Sequence, residues 1–173
     1  MDEKIKNKIT ETVQDLLRRV GFEGEVRLNE SLAVVDPDNS TNNSRASLMV
    51  ASVESENDLS MLIGKNGQNL SAFEHIARLL VSRNVSITAS QSPISFIVDI
   101  NDYRKSRTNY LVDVARNVAK RVIQTQRAEA LLPMNAYERR LVHTELATFK
   151  DLQTESIGQE PRRRIVVKPS LPL

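Results

Sequence analysis

The stretch Asn57-Asp58-Leu59-Ser60-Met61-Leu62-Ile63-Gly64-Lys65-Asn66-Gly67-Gln68-Asn69-Leu70 decides the fold of the first part of this chain. A Gly-x-x-Gly turn at residues 64–67 joins two segments whose apolar residues recur at helical spacing. Such a turn exposes backbone N–H groups at the start of the second helix, and its glycines allow a phosphate backbone to come close. The alternative is a helix–turn–helix corner that only packs. We predict a nucleic-acid contact at Ile63, Gly64, Lys65, Asn66, Gly67 and Gln68.

The segments around this turn predict a small sheet covered by helices. In the second helix, Leu70, Phe73, Ile76/Ala77 and Leu80 are expected on the buried face. The other predictions are a helix over 2–20 that stops at Gly21, strands at 25–28, 32–35, 47–53 and 94–100, and a polar turn at 36–44. The resulting order is helix, strand, strand, helix, Gly-x-x-Gly, helix, strand, which indicates an α+β unit with a three-stranded sheet and helices on one face. This order resembles the type II KH fold, whose Gly-x-x-Gly turn holds about four nucleotides of a single strand.

The remainder of the chain predicts a second small α+β domain, so we expect one domain over residues 1–101 and another over 102–173. Asn101 and Asp102 are candidate helix caps. The predicted elements are a helix with an apolar stripe from Tyr110 to Ile123, a short strand at 129–132, a helix from a cap at Asn135 to Leu146 with Glu138 completing a capping box, strands at 148–156 and 164–167 around a turn at Gly158 and Pro161, and a loose tail at 169–173.

Charge divides the chain in the same way. Residues 1–101 carry 10 basic and 14 acidic side chains, whereas residues 102–173 carry 14 basic and 8 acidic ones. The net charge of +2 therefore hides a basic C-terminal half, which favours an anionic partner such as a nucleic acid. The alternative is a solvated basic surface with no partner.

A second candidate site lies in the short predicted helix of the basic half. Arg139 and His143 are four residues apart, so they lie on one helix face and are close enough to bind the same phosphate or base. The alternative is a surface arginine and an ordinary helix histidine. We predict nucleic-acid contacts here at Arg139, His143, Arg162, Arg163 and Arg164.

The strings Pro133-Met134-Asn135-Ala136-Tyr137-Glu138-Arg139-Arg140-Leu141-Val142-His143 and Thr154-Glu155-Ser156-Ile157-Gly158-Gln159-Glu160-Pro161-Arg162-Arg163-Arg164 resemble the single-strand nucleic-acid-binding domain named for its Arg-x-x-x-His motif. Such a domain after a KH domain resembles the bacterial Jag family, the SpoIIIJ-associated RNA-binding proteins. The resemblance implies a post-transcriptional regulator or RNA chaperone that is linked to cell elongation and division and binds single-stranded RNA or DNA. It also implies a small single-KH-domain protein as a partner. An adaptor for that protein or for the membrane insertase, with RNA binding secondary, is the alternative function.

The sequence excludes several other classes. There is no cysteine and there are only two histidines, so disulfides and thiolate metal sites are absent. No P-loop and no carboxylate cluster at metal spacing is present, and we therefore predict a non-enzyme without cofactor or metal. No signal peptide is readable, and the apolar runs are too short to span a bilayer. We expect a cytoplasmic protein with no direct membrane insertion.

Overall fold

The computed structural model describes residues 3–31, 48–84 and 96–170. The chain divides into two compact units, Met1–Tyr103 and Arg104–Leu173. Both units are mixed α+β, with one three-stranded sheet in each. In the described part of the chain, no helix has both the length and the apolar character needed to cross a membrane.

The first unit follows the predicted order of elements. These are α1 (Glu3–Arg19), β1 (Glu25–Ser31), β2 (Leu48–Glu54), α2 (Ser60–Ile63), a 3₁₀ turn (Lys65–Gly67), α3 (Gln68–Asn84) and β3 (Phe96–Ile100). Strand β2 is central, antiparallel to β1 and parallel to β3. The predicted strand at 32–35 and the polar turn at 36–44 lie outside the described residues.

Helix α1 and helix α3 bury apolar stripes in the core of the first unit. Helix α1 ends as predicted at Gly21, where a φ of 85° suits glycine. The predicted face of α3 is wrong in part, because Ile76 is 47% exposed. The buried residues of α3 are Leu70, Phe73, Glu74, Ala77 and Val81.

The buried Glu74 explains this rotation of α3. Its Oε2 accepts a hydrogen bond of 2.8 Å from the N–H of Val98 on β3, and its Oε1 lies 2.7 Å from Nη2 of Arg78. Arg78 in turn donates through Nε to the carbonyl of Phe96. The two side chains therefore satisfy backbone groups of β3 that its neighbour β2 does not reach, which protects this strand edge from unwanted pairing.

The second unit contains α4 (Tyr103–Thr125), which begins at the last residue of the first unit, β4 (Glu129–Ala130), α5 (Ala136–Leu146), β5 (Leu152–Ile157) and β6 (Arg164–Pro169). The sheet order is β4-β6-β5 and all pairs are antiparallel. The apolar stripe of α4 is buried as predicted, with Leu111, Ala115, Val118, Ala119 and Val122 in the core.

Three boundaries in the second unit differ from the prediction. The strand expected from Thr148 begins only at Leu152, because a turn held by the Phe149 N–H and the Leu146 carbonyl follows α5. Strand β4 is shorter than expected and ends at Ala130. The tail expected to be loose from residue 169 continues β6 through Pro169, and the N–H of Ser170 donates to Asp151.

One predicted cap is confirmed and one is wrong. Asn135 and Glu138 form the predicted capping box, with bonds of 2.9 Å and 3.0 Å. Asn101 does not cap α4 with its side chain. Its amide instead accepts from the N–H of Ser55 and donates to the carbonyl of the same residue, which extends the pairing between β2 and β3.

Candidate nucleic-acid interface

The Gly-x-x-Gly turn of the first unit is a tight reversal between α2 and α3. Gly64 has φ 70° and ψ 179°, a backbone conformation that is accessible essentially to glycine alone. Gly67 has φ 76° and Asn66 has φ 55°, both left-handed. The turn therefore needs glycine at both ends and tolerates asparagine between them.

Two side chains fill the space beside these glycines. A β-carbon on Gly64 would lie 2.5 Å from Cγ of Asn69, whose Nδ2 donates to the carbonyl of Met61 at the end of α2. A β-carbon on Gly67 would lie 3.0 Å from Cε1 of the Tyr103 ring. The turn is thus packed from inside, which leaves its outer side for a ligand.

The predicted contact residues of the first unit lie together on this turn. Lys65 and Gln68 are exposed, Asn66 is half-buried, and Ile63 packs against the core. The arrangement places a cation beside the first turn of a 17-residue helix, where backbone N–H groups and the helix dipole favour an anion.

Asp58 fixes the start of α2. Its carboxylate accepts hydrogen bonds from the hydroxyl and from the N–H of Ser60. These bonds, first the one from the hydroxyl and then the one from the backbone, hold the pKa of Asp58 below its ordinary value. The loop that leads into the Gly-x-x-Gly turn is therefore held by a charged acceptor.

The second unit has an open groove of about 360 Å³ between α5 and the β5–β6 hairpin. The structure brings three predicted residues to this groove: Arg139, His143 and Arg163. The sequence prediction missed the other groove-lining residues, which are Arg140, Thr154, Glu155, Ser156 and Ile165. Arg162 and Arg164 are exposed on the same hairpin but do not line the groove.

Arg139 is buried, contrary to what a purely ligand-facing role would require. Its side chain is 10% exposed, and its Nη1 lies 2.7 Å from the carbonyl of Met134 and 2.7 Å from Oε1 of Glu160. The guanidinium therefore ties the segment before α5 to the turn between β5 and β6.

His143 is exposed and lies at the wall of the groove. Its Nδ1 is hydrogen-bonded to Oγ1 of Thr154 on β5. This bond orients the ring and leaves Nε2 available for a ligand. Alternation along β5 places Thr154 and Ser156 on the same face, so this pair could have been predicted once the strand was set in register.

Arg163 is the exposed arginine of the groove. Its Nε donates to Oγ of Ser156 across the hairpin at 3.0 Å, and its carbonyl accepts from the N–H of Met134. The backbone and the side chain are thus both positioned. Together, Arg163 and His143 present donors of the kind that bind phosphate oxygens and base edges.

Among the described residues, no group of three or more acidic or histidine side chains is placed to hold a metal ion. The chemistry of the groove is that of cationic and neutral hydrogen-bond donors.

The family model of the R-3-H domain, named for an arginine and a histidine with three residues between them, matches residues 109–169. The match covers most of the second unit, including α5 and the hairpin. This part of the chain is therefore a domain of that family, and the resemblance to a domain with an Arg-x-x-x-His motif is confirmed there.

The chain is also homologous to proteins named RNA-binding protein KhpB. That of Clostridium symbiosum is 36% identical over 110 residues, which cover 64% of this chain and 47% of the relative. That of Lactiplantibacillus plantarum is 34% identical over 107 residues (62% and 32%), and that of Bacillus subtilis is 30% identical over 109 residues (62% and 50%). The matches thus span between a third and a half of the length of these curated relatives.

Proposed function

We propose that this chain binds single-stranded RNA, using the groove of its Arg-x-x-x-His domain as the principal site. The observation that carries the proposal is the groove itself, where His143 and Arg163 are positioned by Thr154 and Ser156. The relatives named RNA-binding protein KhpB support RNA as the ligand. Their names also favour a binding protein over an enzyme, in the cytoplasm where RNA is found.

Electrostatics favours the second unit as the stronger binder. The excess of basic residues lies in 102–173, while 1–101 is acidic overall. Binding to single strands rests largely on phosphate neutralisation, with a salt dependence of about −0.7 in log–log slope per phosphate contacted. The basic half should therefore set both the affinity and the salt dependence.

The first unit is proposed to be a type II KH domain. The element order, the parallel pairing of β2 with β3 and the glycine-dependent turn at 64–67 support this assignment. In this role the turn would hold about four nucleotides through backbone contacts. Lys65 would be its cation.

An adaptor role is a second candidate, favoured by one feature of α3. Ile76 and Leu79 are three residues apart and are 47% and 58% exposed. An apolar pair on an exposed helix face suits a protein partner, for which the small single-KH-domain protein is the candidate. RNase treatment of the native assembly tests this role: an association that survives the treatment is direct. The link to cell elongation and division stays a prediction.

Fluorescence anisotropy with the full chain and a labelled, unstructured oligouridine tests RNA binding. We expect Arg163→Ala to weaken binding by roughly tenfold, the lower end of what one hydrogen bond to a charged group contributes. Arg127→Ala, which removes an exposed arginine outside the groove, is the matched control and should have little effect.

Equal affinities of the Arg163→Ala and Arg127→Ala variants would show that the groove is not the binding site. A titration with the oligodeoxyuridine of the same length measures the preference for RNA over DNA, because only RNA carries the 2′-hydroxyl.

A further inference from the structure

Glu160 is an acidic residue in the turn of an otherwise basic hairpin. It is followed in sequence by Pro161 and three arginines, and its side chain is 59% exposed. By charge alone, a carboxylate at this position repels a nucleic acid. Its contact with Arg139 gives it a different role.

We infer, on the basis of the proposed function, that Glu160 is a positioning residue for RNA binding, which acts through the buried Arg139 to hold the arginine-bearing turn at the groove. Arg139 therefore belongs to the support of the site and does not itself bind phosphate. The contact with RNA is made by Arg163 and His143.

The hydrogen bonds around Arg139 support this role. Its Nη1 binds the Met134 carbonyl at 2.7 Å, and the N–H of Met134 donates to the carbonyl of Arg163 at 3.2 Å. The same Nη1 lies 2.7 Å from Oε1 of Glu160, three residues before Arg163. Arg139 thus fixes the backbone on both sides of Arg163.

Burial argues against a direct phosphate contact by Arg139. Its side chain is 10% exposed, and the groove side of α5 is occupied by the exposed Arg140 and His143. Replacing Glu160 by a phosphate would leave the turn without its anchor. A buried guanidinium is stable only when it stays paired, so Glu160 and Arg139 are expected to remain together in the complex.

Glu155 supplies a matched control. It is a glutamate on the same hairpin, 57% exposed, lines the same groove and forms an ion pair of 2.6 Å with Lys168. Removing either carboxylate changes the net charge equally and releases one cation. A general electrostatic effect therefore predicts that both substitutions tighten RNA binding.

The experiment is anisotropy titration of the full chain with labelled oligouridine over a range of salt concentrations. We expect Glu160→Ala to weaken binding at least fivefold, by roughly the worth of one charge-assisted contact, and to make the log–log salt slope shallower by about 0.7. Glu155→Ala should leave binding unchanged or tighter. Glu160→Asp, which keeps the charge but shortens the side chain by one methylene, should also weaken binding.

Thermal melts accompany each titration, and the expected melting temperature of the Glu160 variants is close to that of the wild type, since the side chain is largely exposed. Tighter binding by Glu160→Ala than by Glu155→Ala would overturn the inference, because Glu160 would then compete with RNA for Arg139. Equal behaviour of the two alanine variants would also overturn it. If Arg163→Ala binds as well as the wild type, the proposed function itself fails, which is a separate result.

Discussion

The ring of Tyr103 lies against Gly67, where a β-carbon would stand 3.0 Å from Cε1 and 3.2 Å from the hydroxyl oxygen. Tyr103 is the first residue of α4 and follows Asn101 and Asp102, both with left-handed φ values of 45° and 56°. This unusual pair turns the chain between β3 and α4. Gly67 is therefore required by a close approach as well as by its own backbone conformation.

Gly67→Ala should destabilise the protein more than Gly21→Ala does. Both glycines have left-handed φ, of 76° and 85°, but a β-carbon on Gly21 would meet nothing within 4 Å. The control should lose about 1 kcal/mol from its backbone conformation alone, and Gly67→Ala about 1–3 kcal/mol more from overpacking. Urea unfolding measures both, and equal losses would show that Tyr103 yields without cost.

Local signals were sufficient to predict most elements. The capping box at Asn135 and Glu138, the stop of α1 at Gly21 and the apolar stripe of α4 each depend on residues within a few positions of one another. The sequence also placed Arg139, His143 and Arg163 in one region, and the structure brings them to one groove.

Contacts between distant residues were not predictable in the same way. Asn101 pairs with Ser55, 46 residues away, although its type and position favour a helix cap. The role of Arg139 depends on Glu160, a residue whose charge suggested nothing about its partner. Glu74 lies on the buried face of α3 because Val98 and Arg78 bind its carboxylate, and apolar periodicity carries no information about such partners.

Lys65→Glu should weaken binding of oligouridine by the full chain more than Arg18→Glu does. Both residues are exposed in the first unit and both substitutions change the net charge equally, but only Lys65 lies in the Gly-x-x-Gly turn. If the turn contacts phosphate, Lys65→Glu also lowers the salt slope by about 0.7. Anisotropy at several salt concentrations measures this, and matching curves for the two variants would leave the turn as a packing corner.

Glu138→Ala should be strongly destabilising, whereas Glu145→Ala on the same helix should not. Glu138 is 5% exposed, pairs with Arg107 at 2.7 Å and completes the capping box, while Glu145 pairs with the exposed Arg116. Loss of a buried partner should cost about 3 kcal/mol or more, against less than about 1 kcal/mol for a surface pair. Chemical denaturation of both variants checks this, and a loss below that of Glu145→Ala would contradict the structural role of the buried pair.

Asp58 should titrate below its ordinary pKa of 3.8 in the folded protein, because the hydroxyl and the N–H of Ser60 both donate to its carboxylate. A carboxyl whose pKa is lower in the folded than in the unfolded state stabilises the fold fully above its unfolded pKa. That contribution is lost as the pH falls through the folded-state pKa. Carbon-detected NMR titration of the carboxyl measures the value directly. Ser60→Ala, which removes the larger of the two causes and keeps the N–H, should raise the pKa of Asp58 toward 3.8, and an unchanged pKa in that variant would show that the hydroxyl does not stabilise the carboxylate.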